Sequence, residues 1–224
     1  MIFFDLDDTL LDNRSAQDKA ALAWREAMGE RLVPHAESNF PEIWHSTTLC
    51  YWKLFERGEI SFTEQRRRRI RDIMRDPHLS NEGADEMFAR YVPFYEANWQ
   101  LFPDVLPCLE LLKGHKLGVL TNGNPEQQIR KLDRFDLTRQ FQVVVILGEK
   151  APCKPLPQAF GLAAGRAKVQ AVECLYIGDQ IENDAVAARS AGWRGVWLDR
   201  SGMLIAPNGI ERITSLLDVP FLLK

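Results

Sequence analysis

The chain has 224 residues, 46% hydrophobic and 26% charged, with a formal net charge of -3. This is the balance of a folded globular protein, which excludes disorder, and the slight acidic excess weighs against a dedicated nucleic-acid binder. No apolar run approaches the roughly 20 residues of a membrane span. The chain opens on an apolar strand rather than a basic-then-apolar leader, so no targeting signal is expected. Cys50, Cys108, Cys153 and Cys174 are scattered with no C-x-x-C pair, which predicts reduced thiols in a cytoplasmic protein.

Met1 to Phe4 reads as a buried strand that runs straight into Asp5, Asp7 and Asp8, and Met1 to Leu6 is expected to join the sheet. If the strand extends that far, its period of two brings Asp5 and Asp7 to one side. Helical patterning then takes over. A helix is predicted over Asn13 to Met28 with Gly29 as its stop, a second from near Pro41 to Arg57, and a third from Ser61, where Ser61-Phe62-Thr63-Glu64 has capping-box spacing. Asp76-Pro77 ends the third, and Ser80 opens a fourth towards Tyr95. From Leu101 strands and helices alternate. Helices are predicted over Asp104 to Lys113, from Pro125 with Asn124 as cap, over Pro157 to Ala164 and over Asn183 to Ala191. Strands are predicted over Leu117 to Thr121, Val143 to Leu147, Cys174 to Ile177 and Gly195 to Leu198, with one short strand and a last helix in the tail. Repeated strand–helix units with apolar strands imply an α/β fold, a Rossmann-like parallel sheet covered on both faces. The predicted organisation is an α/β core of residues 1–12 and 100–224, with residues 13–99 inserted as an α-helical cap.

Three predicted strands end in polar residues that a strand end does not need: Asp5 and Asp7, Thr121, and Asp179. Lys154 stands in the loop Ala151-Pro152-Cys153-Lys154-Pro155. Each segment follows a strand, so all belong at the carboxyl edge of the sheet, where such folds keep ligands. Clustered carboxylates need a cation or hydrogen bonds to offset their repulsion. Anions to hold a cation, a hydroxyl donor and one lysine are the parts that phosphoryl transfer uses. A carboxylate nucleophile would give an aspartyl-phosphate, and Mg²⁺ suits an oxygen-rich site.

These residues resemble the haloacid dehalogenase-like hydrolase superfamily, whose members are mostly phosphatases. Asp5-Leu6-Asp7-Asp8-Thr9 is similar to its first motif, Thr121-Asn122-Gly123 to its second, Lys154-Pro155 to its third, and Gly178-Asp179 with Asn183-Asp184 to its fourth. The motifs follow the family's order across nearly the whole chain. The resemblance implies that Asp5 attacks phosphorus and touches the metal. Asp7 then protonates the leaving oxygen and activates water, with its backbone carbonyl on the metal. Thr121 and the Asn122 backbone hold the phosphoryl oxygens, Lys154 offsets repulsion between Asp5 and the phosphoryl group, Asp179 binds Mg²⁺, and Asp184 completes or supports the metal shell. It also implies a cap hinged near Asp8 to Asn13 that closes over a small phosphorylated metabolite, in a monomer or homodimer that engages neither nucleic acid nor membrane. Arg57-Gly58-Glu59-Ile60-Ser61 is similar to the branch with nucleoside monophosphate and acylneuraminate phosphate phosphatases. A phosphomutase on the same core and a phospho-ligand-binding domain without turnover are the rival readings. A dehalogenase is disfavoured by Asp7, since halide displacement needs no leaving-group proton.

Within the predicted cap, Trp44, Thr48, Tyr51, Trp52 and Phe55 form a stripe at helical spacing that reads as packing between helices. Arg66 to Arg69 with Arg71 reads as a solvated helix face. His35, His45, His78 and His115 have no zinc-ligand spacing and read as structural or surface residues.

Overall fold

A computed structural model describes residues 1–29, 32, 39–149 and 151–223. His35 falls outside them. Three consecutive buried side chains make β1 (Ile2–Phe4), as expected of a strand covered on both faces. Five more strands complete one sheet: β2 (Leu117–Asn122), β3 (Val143–Leu147), β4 (Leu175–Gly178), β5 (Arg194–Leu198) and β6 (Glu211–Ile213). The order is β3-β2-β1-β4-β5-β6, and every pairing is parallel. Strand order reverses between β1 and β4, which makes their carboxyl ends the topological switch point where a ligand crevice opens. The connecting helices are α5 (Val105–Leu111), α6 (Pro125–Arg134), α7 (Pro157–Ala167) and α8 (Ala187–Ser190), and a 3₁₀ helix (Leu216–Leu223) closes the chain. On one side of β1 and β4, Phe3 meets Trp193 at 4.9 Å and Phe160 meets Tyr176 edge-on at 5.3 Å. Such pairs contribute about 0.5–1.5 kcal/mol each beyond area burial.

Strand β1 is shorter than the sequence suggests. The Asp5 amide still donates to the Ile177 carbonyl at 2.9 Å, but Leu10 and Leu11 both donate back to the Leu6 carbonyl, so the chain turns. Asp8 sits in that turn at φ 60°, a left-handed conformation that an aspartate tolerates better than most side chains. The period-two argument for Asp5 and Asp7 therefore does not apply, because the strand ends before either. The helix expected from Asn183 also differs. It begins as a π-helical turn, Ile181–Val186, before α8. The widened turn lies against β5, where a Cβ on Gly195 would stand 2.1 Å from the Ala185 carbonyl oxygen.

The chain divides into two compact units, residues 1–12 with 101–224, and residues 13–100. The second holds α1 (Asn13–Met28), α2 (Phe40–Glu56), α3 (Phe62–Met74) and α4 (Asn81–Ala97), each packed on two of the others. Ser61 and Ser80 cap α3 and α4 by accepting from the Glu64 and Gly83 amides, both at 3.0 Å. Trp24, Trp44 and Tyr91 meet at its centre, with Trp44 and Tyr91 4.2 Å apart. The Trp44 stripe packs between helices, with Trp52 edge-on to Phe62. The arginine run is not one solvated face. A period of 3.6 turns Arg66 and Arg69 inward with Ile70 and Ile73. Arg66 lies over Phe62 and Phe88, and the buried Arg69 lies 4.6 Å over Trp44 while donating to the Thr48 hydroxyl at 3.0 Å. Burial draws the Arg69 guanidinium down to about 10, still ionised at neutral pH, and the ring faces offset part of that cost. Arg68 alone fits the solvated reading, paired with Glu64 on the outside.

No helix among the described residues is long and apolar enough to cross a membrane. Two glycines give opposite expectations in chemical denaturation. Gly195→Ala forces a methyl into backbone and should cost about 2 kcal/mol or more. Gly161→Ala, on the exposed side of α7 with nothing within 4 Å, should stabilise by up to about 1 kcal/mol. Equal effects from the two would contradict the packing described.

Candidate active site

The carboxyl ends of β1 and β4 lie side by side, so the residues after them share one crevice. Asp5 follows β1 and Asp179 follows β4. Asp184 comes from the π-helical turn and folds back under Gly178, where a Cβ would stand 2.3 Å from its carboxylate. Glycine is required there for Asp184 to enter. The Gln180 amide donates to Asp184 Oδ2 at 2.9 Å and holds it in place. One carboxylate oxygen from each of Asp5, Asp179 and Asp184 lies within 4.8 Å of the others. Thr9 Oγ1 reaches Asp179 Oδ1 at 3.4 Å, and the Trp197 indole donates to the Asp179 carbonyl at 2.8 Å.

Lys154 stands between two of these acids. Its Nζ donates to Asp5 at 2.8 Å, to Asp184 at 2.6 Å and to the Tyr176 hydroxyl at 2.7 Å. An ammonium has three hydrogens, and all three are used. Tyr176 passes its own hydrogen to the Leu120 carbonyl at 2.7 Å. The Lys154 backbone is fixed by the Asn122 side chain, whose amide donates to the Lys154 carbonyl at 3.0 Å and accepts from its N–H at 2.9 Å. Asn122 thus splints the end of β2 to the lysine loop, a part for its side chain that the sequence did not reveal.

The electrostatics favour a cation. Three carboxylates and one ammonium leave two uncompensated negative charges. Burial raises the Asp5 carboxyl to about 7, with Asp184 and Asp7 adding to the rise and Lys154 opposing it. Asp179 is pushed well above the carboxylate range by burial, then by Asp184 and Asp5. Burial works against the Lys154 charge, yet Asp184 and Asp5 together hold it above the ordinary lysine value. An all-oxygen set around two surplus negative charges fits a hard dication.

Asp7 stands apart from that trio. Its two carboxylate oxygens face α6, Oδ1 towards Lys131 Nζ at 2.5 Å and Oδ2 towards Gln128 Nε2 at 2.9 Å. Thr121 is buried at the end of β2, its hydroxyl 3.1 Å from the same Gln128 nitrogen. The structure therefore brings Asp5, Asp179, Asp184 and Lys154 into one cluster, and links Asp7 to Thr121 through Gln128. Sequence reasoning missed Gln128, Lys131 and Tyr176. A signal for the first two was present. Of the ten residues of α6 only Pro125, Ile129 and Leu132 are apolar, too few to make a full core-facing stripe, so a helix lying on the sheet must turn polar groups inward.

Residues 1–192 match the family model for haloacid dehalogenase-like hydrolases. The glyceraldehyde 3-phosphate phosphatase of Pyrococcus abyssi is 28% identical, covering 88% of this chain and 80% of that protein. The human N-acylneuraminate-9-phosphatase is 26% identical, covering 100% of this chain and 93% of that protein. The crystal structure of a 2-haloacid dehalogenase from Pseudomonas syringae superposes with a TM-score of 0.72 at 27% identity, covering 99% of this chain and 96% of that chain. Since the family model matches most of its length, this chain belongs to the haloacid dehalogenase-like hydrolases.

Proposed function

We propose that this protein is a Mg²⁺-dependent phosphatase that hydrolyses small phosphomonoesters through an aspartyl-phosphate on Asp5. The observation that carries the reading is the position of Asp5, buried at the switch point between Lys154 and two further acids. Lys154 orients one carboxylate oxygen of Asp5 by a 2.8 Å bond, so the other is the one free to attack. Asp5, Asp179 and Asp184 would hold Mg²⁺, with the Asp7 backbone carbonyl as a further ligand. Bound there, the ion supplies positive charge against the phosphoryl oxygens. Thr121 and the Asn122 backbone N–H would receive those oxygens. Asp7 protonates the departing alkoxide and then takes a proton from the water that hydrolyses the intermediate, which requires its environment to differ from that of Asp5. The two do differ: Asp7 faces Gln128 and Lys131 of α6, whereas Asp5 is grouped with Asp179, Asp184 and Lys154.

The phosphatases among the relatives support this reading over halide displacement, and so does Asp7. A halide leaves without a proton, whereas an alkoxide needs one. The substrate class is a small phosphorylated metabolite, and the compartment we favour is the cytoplasm, in keeping with four free thiols. Asp5→Asn removes the nucleophile and should lower phosphate release by at least about a thousandfold on every monoester tested. Near-normal turnover in that variant contradicts the assignment.

A second expectation concerns pH. Because folding raises Asp5 from 3.8 to about 7, the folded metal-free protein binds that proton more tightly than the unfolded chain. The stability this contributes is full below 3.8 and lost as the pH climbs to about 7. Mg²⁺ competes with the proton, so it should raise the melting temperature more at pH 8 than at pH 5. Asp179→Asn should stabilise the metal-free protein, since it removes an acid whose ionised form burial and the neighbouring acids disfavour, and lose the Mg²⁺ response. A response equal at both pH values, or retained in Asp179→Asn, counts against the metal site.

A further inference from the structure

We infer that Lys131 and Gln128 are positioning residues for the Asp7 carboxylate, which they hold from one face of α6 and tie to the phosphoryl-binding end of β2. The inference rests on the proposed role of Asp7 as proton carrier. Lys131 is 2% exposed. A lysine so deeply placed costs desolvation, and the 2.5 Å contact with Asp7 Oδ1 offsets part of that cost. Gln128, one helical turn earlier and also 2% exposed, donates to the other oxygen. Both oxygens are thus engaged, so the carboxylate plane is set and not merely its distance.

The orientation of the Gln128 amide follows from chemistry. A carboxylate only accepts, so the nitrogen must face Asp7. That nitrogen also lies 3.1 Å from Thr121 Oγ1 and 3.3 Å from the Asn122 carbonyl. One amide therefore connects the proton carrier with the hydroxyl that would hold the phosphoryl group. Helix α6 is well placed to keep this geometry. It starts immediately after Thr121-Asn122-Gly123, with Pro125 in its first turn and the Asn124 side chain accepting from the Gln127 amide at 3.0 Å. The loop that presents Thr121 thus also sets the helix that grips Asp7. The grip keeps Asp7 away from Lys154 and the three acids, where a freely rotating carboxylate would add a further negative charge.

A purely structural ion pair would also be buried, so the test must separate the two roles. Steady-state kinetics of the full chain with Mg²⁺ are measured on an alkyl phosphate, which needs leaving-group protonation, and on p-nitrophenyl phosphate, which hardly does. Lys131→Met should lower kcat on the alkyl ester about tenfold more than on the aryl ester, with KM within about twofold. In an Asp7→Asn background the same substitution should cost less than about twofold, because the group it positions is gone. Equal losses on both esters, or losses that multiply with Asp7→Asn, overturn the inference. Where Lys131→Met does not fold, Gln128→Met carries the same expectations. Asp7→Asn alone reports on the underlying reading: if it spares turnover or impairs both esters equally, the proton-carrier role fails, and the inference with it. If it is selective and Lys131→Met and Gln128→Met are not, only the inference fails.

Discussion

The buried ammonium of Lys154 is the interaction on which the catalytic unit depends. Without it, Asp5 and Asp184 would face each other across a crevice with almost no solvent. Like charges so placed are driven to protonate, and a protonated Asp5 is no nucleophile. Lys154 bonds to both and to Tyr176, and one cation so uses every hydrogen it has. The compensation is incomplete, since three carboxylates face one ammonium; burial first, and the neighbouring acids after it, raise the Asp5 and Asp179 carboxyls. That residual imbalance would suit a dication, as proposed above, better than a finished salt-bridge network. Removing one partner of such a cluster leaves a buried charge unanswered, which typically costs about 3–5 kcal/mol.

The sheet supplies the geometry. The order β3-β2-β1-β4-β5-β6 places β1 and β4 side by side with their crossovers leaving in opposite directions, which opens a gap at their carboxyl ends. Asp5 and Asp179 come from the two strands at that gap. Thr121 and Asn122 come from β2 next door, and Lys154 from the loop after β3, drawn in by the Asn122 amide. Gly178 and Gly195 let the π-helical turn approach closely enough to deliver Asp184. Each of these is a backbone requirement met by one residue, which explains why short sequence motifs carry so much of the site.

Much of this was legible in the sequence. Ile2–Phe4 and Val143–Leu147 read as buried strands because continuous apolar runs have few other uses, and Ser61 and Ser80 marked helix starts through their caps. Polar residues at strand ends pointed to the carboxyl edge before any contact was known. What could not be read follows from tertiary context. The turn at Asp8 ends β1 early, since Leu10 and Leu11 find a backbone acceptor in Leu6 that periodicity does not foresee. Arg66 and Arg69 read as solvated because charge predicts exposure, but aromatic faces from α2, α3 and α4 give a guanidinium somewhere to go. Lys131 and Gln128 belong to no motif and lie on a helix that is mostly polar. Their partner Asp7 lies more than a hundred residues away in the chain.

The central claim is that Asp5 itself carries the phosphoryl group. Its most direct measurement is mass spectrometry of enzyme quenched in acid during turnover of a small phosphomonoester with Mg²⁺, with the modified peptide sequenced. One added phosphoryl group is expected on the N-terminal peptide, located on Asp5 and reversed by mild base. A modification on another residue, or turnover with no phosphorylated enzyme under conditions that slow hydrolysis of the intermediate, would contradict it.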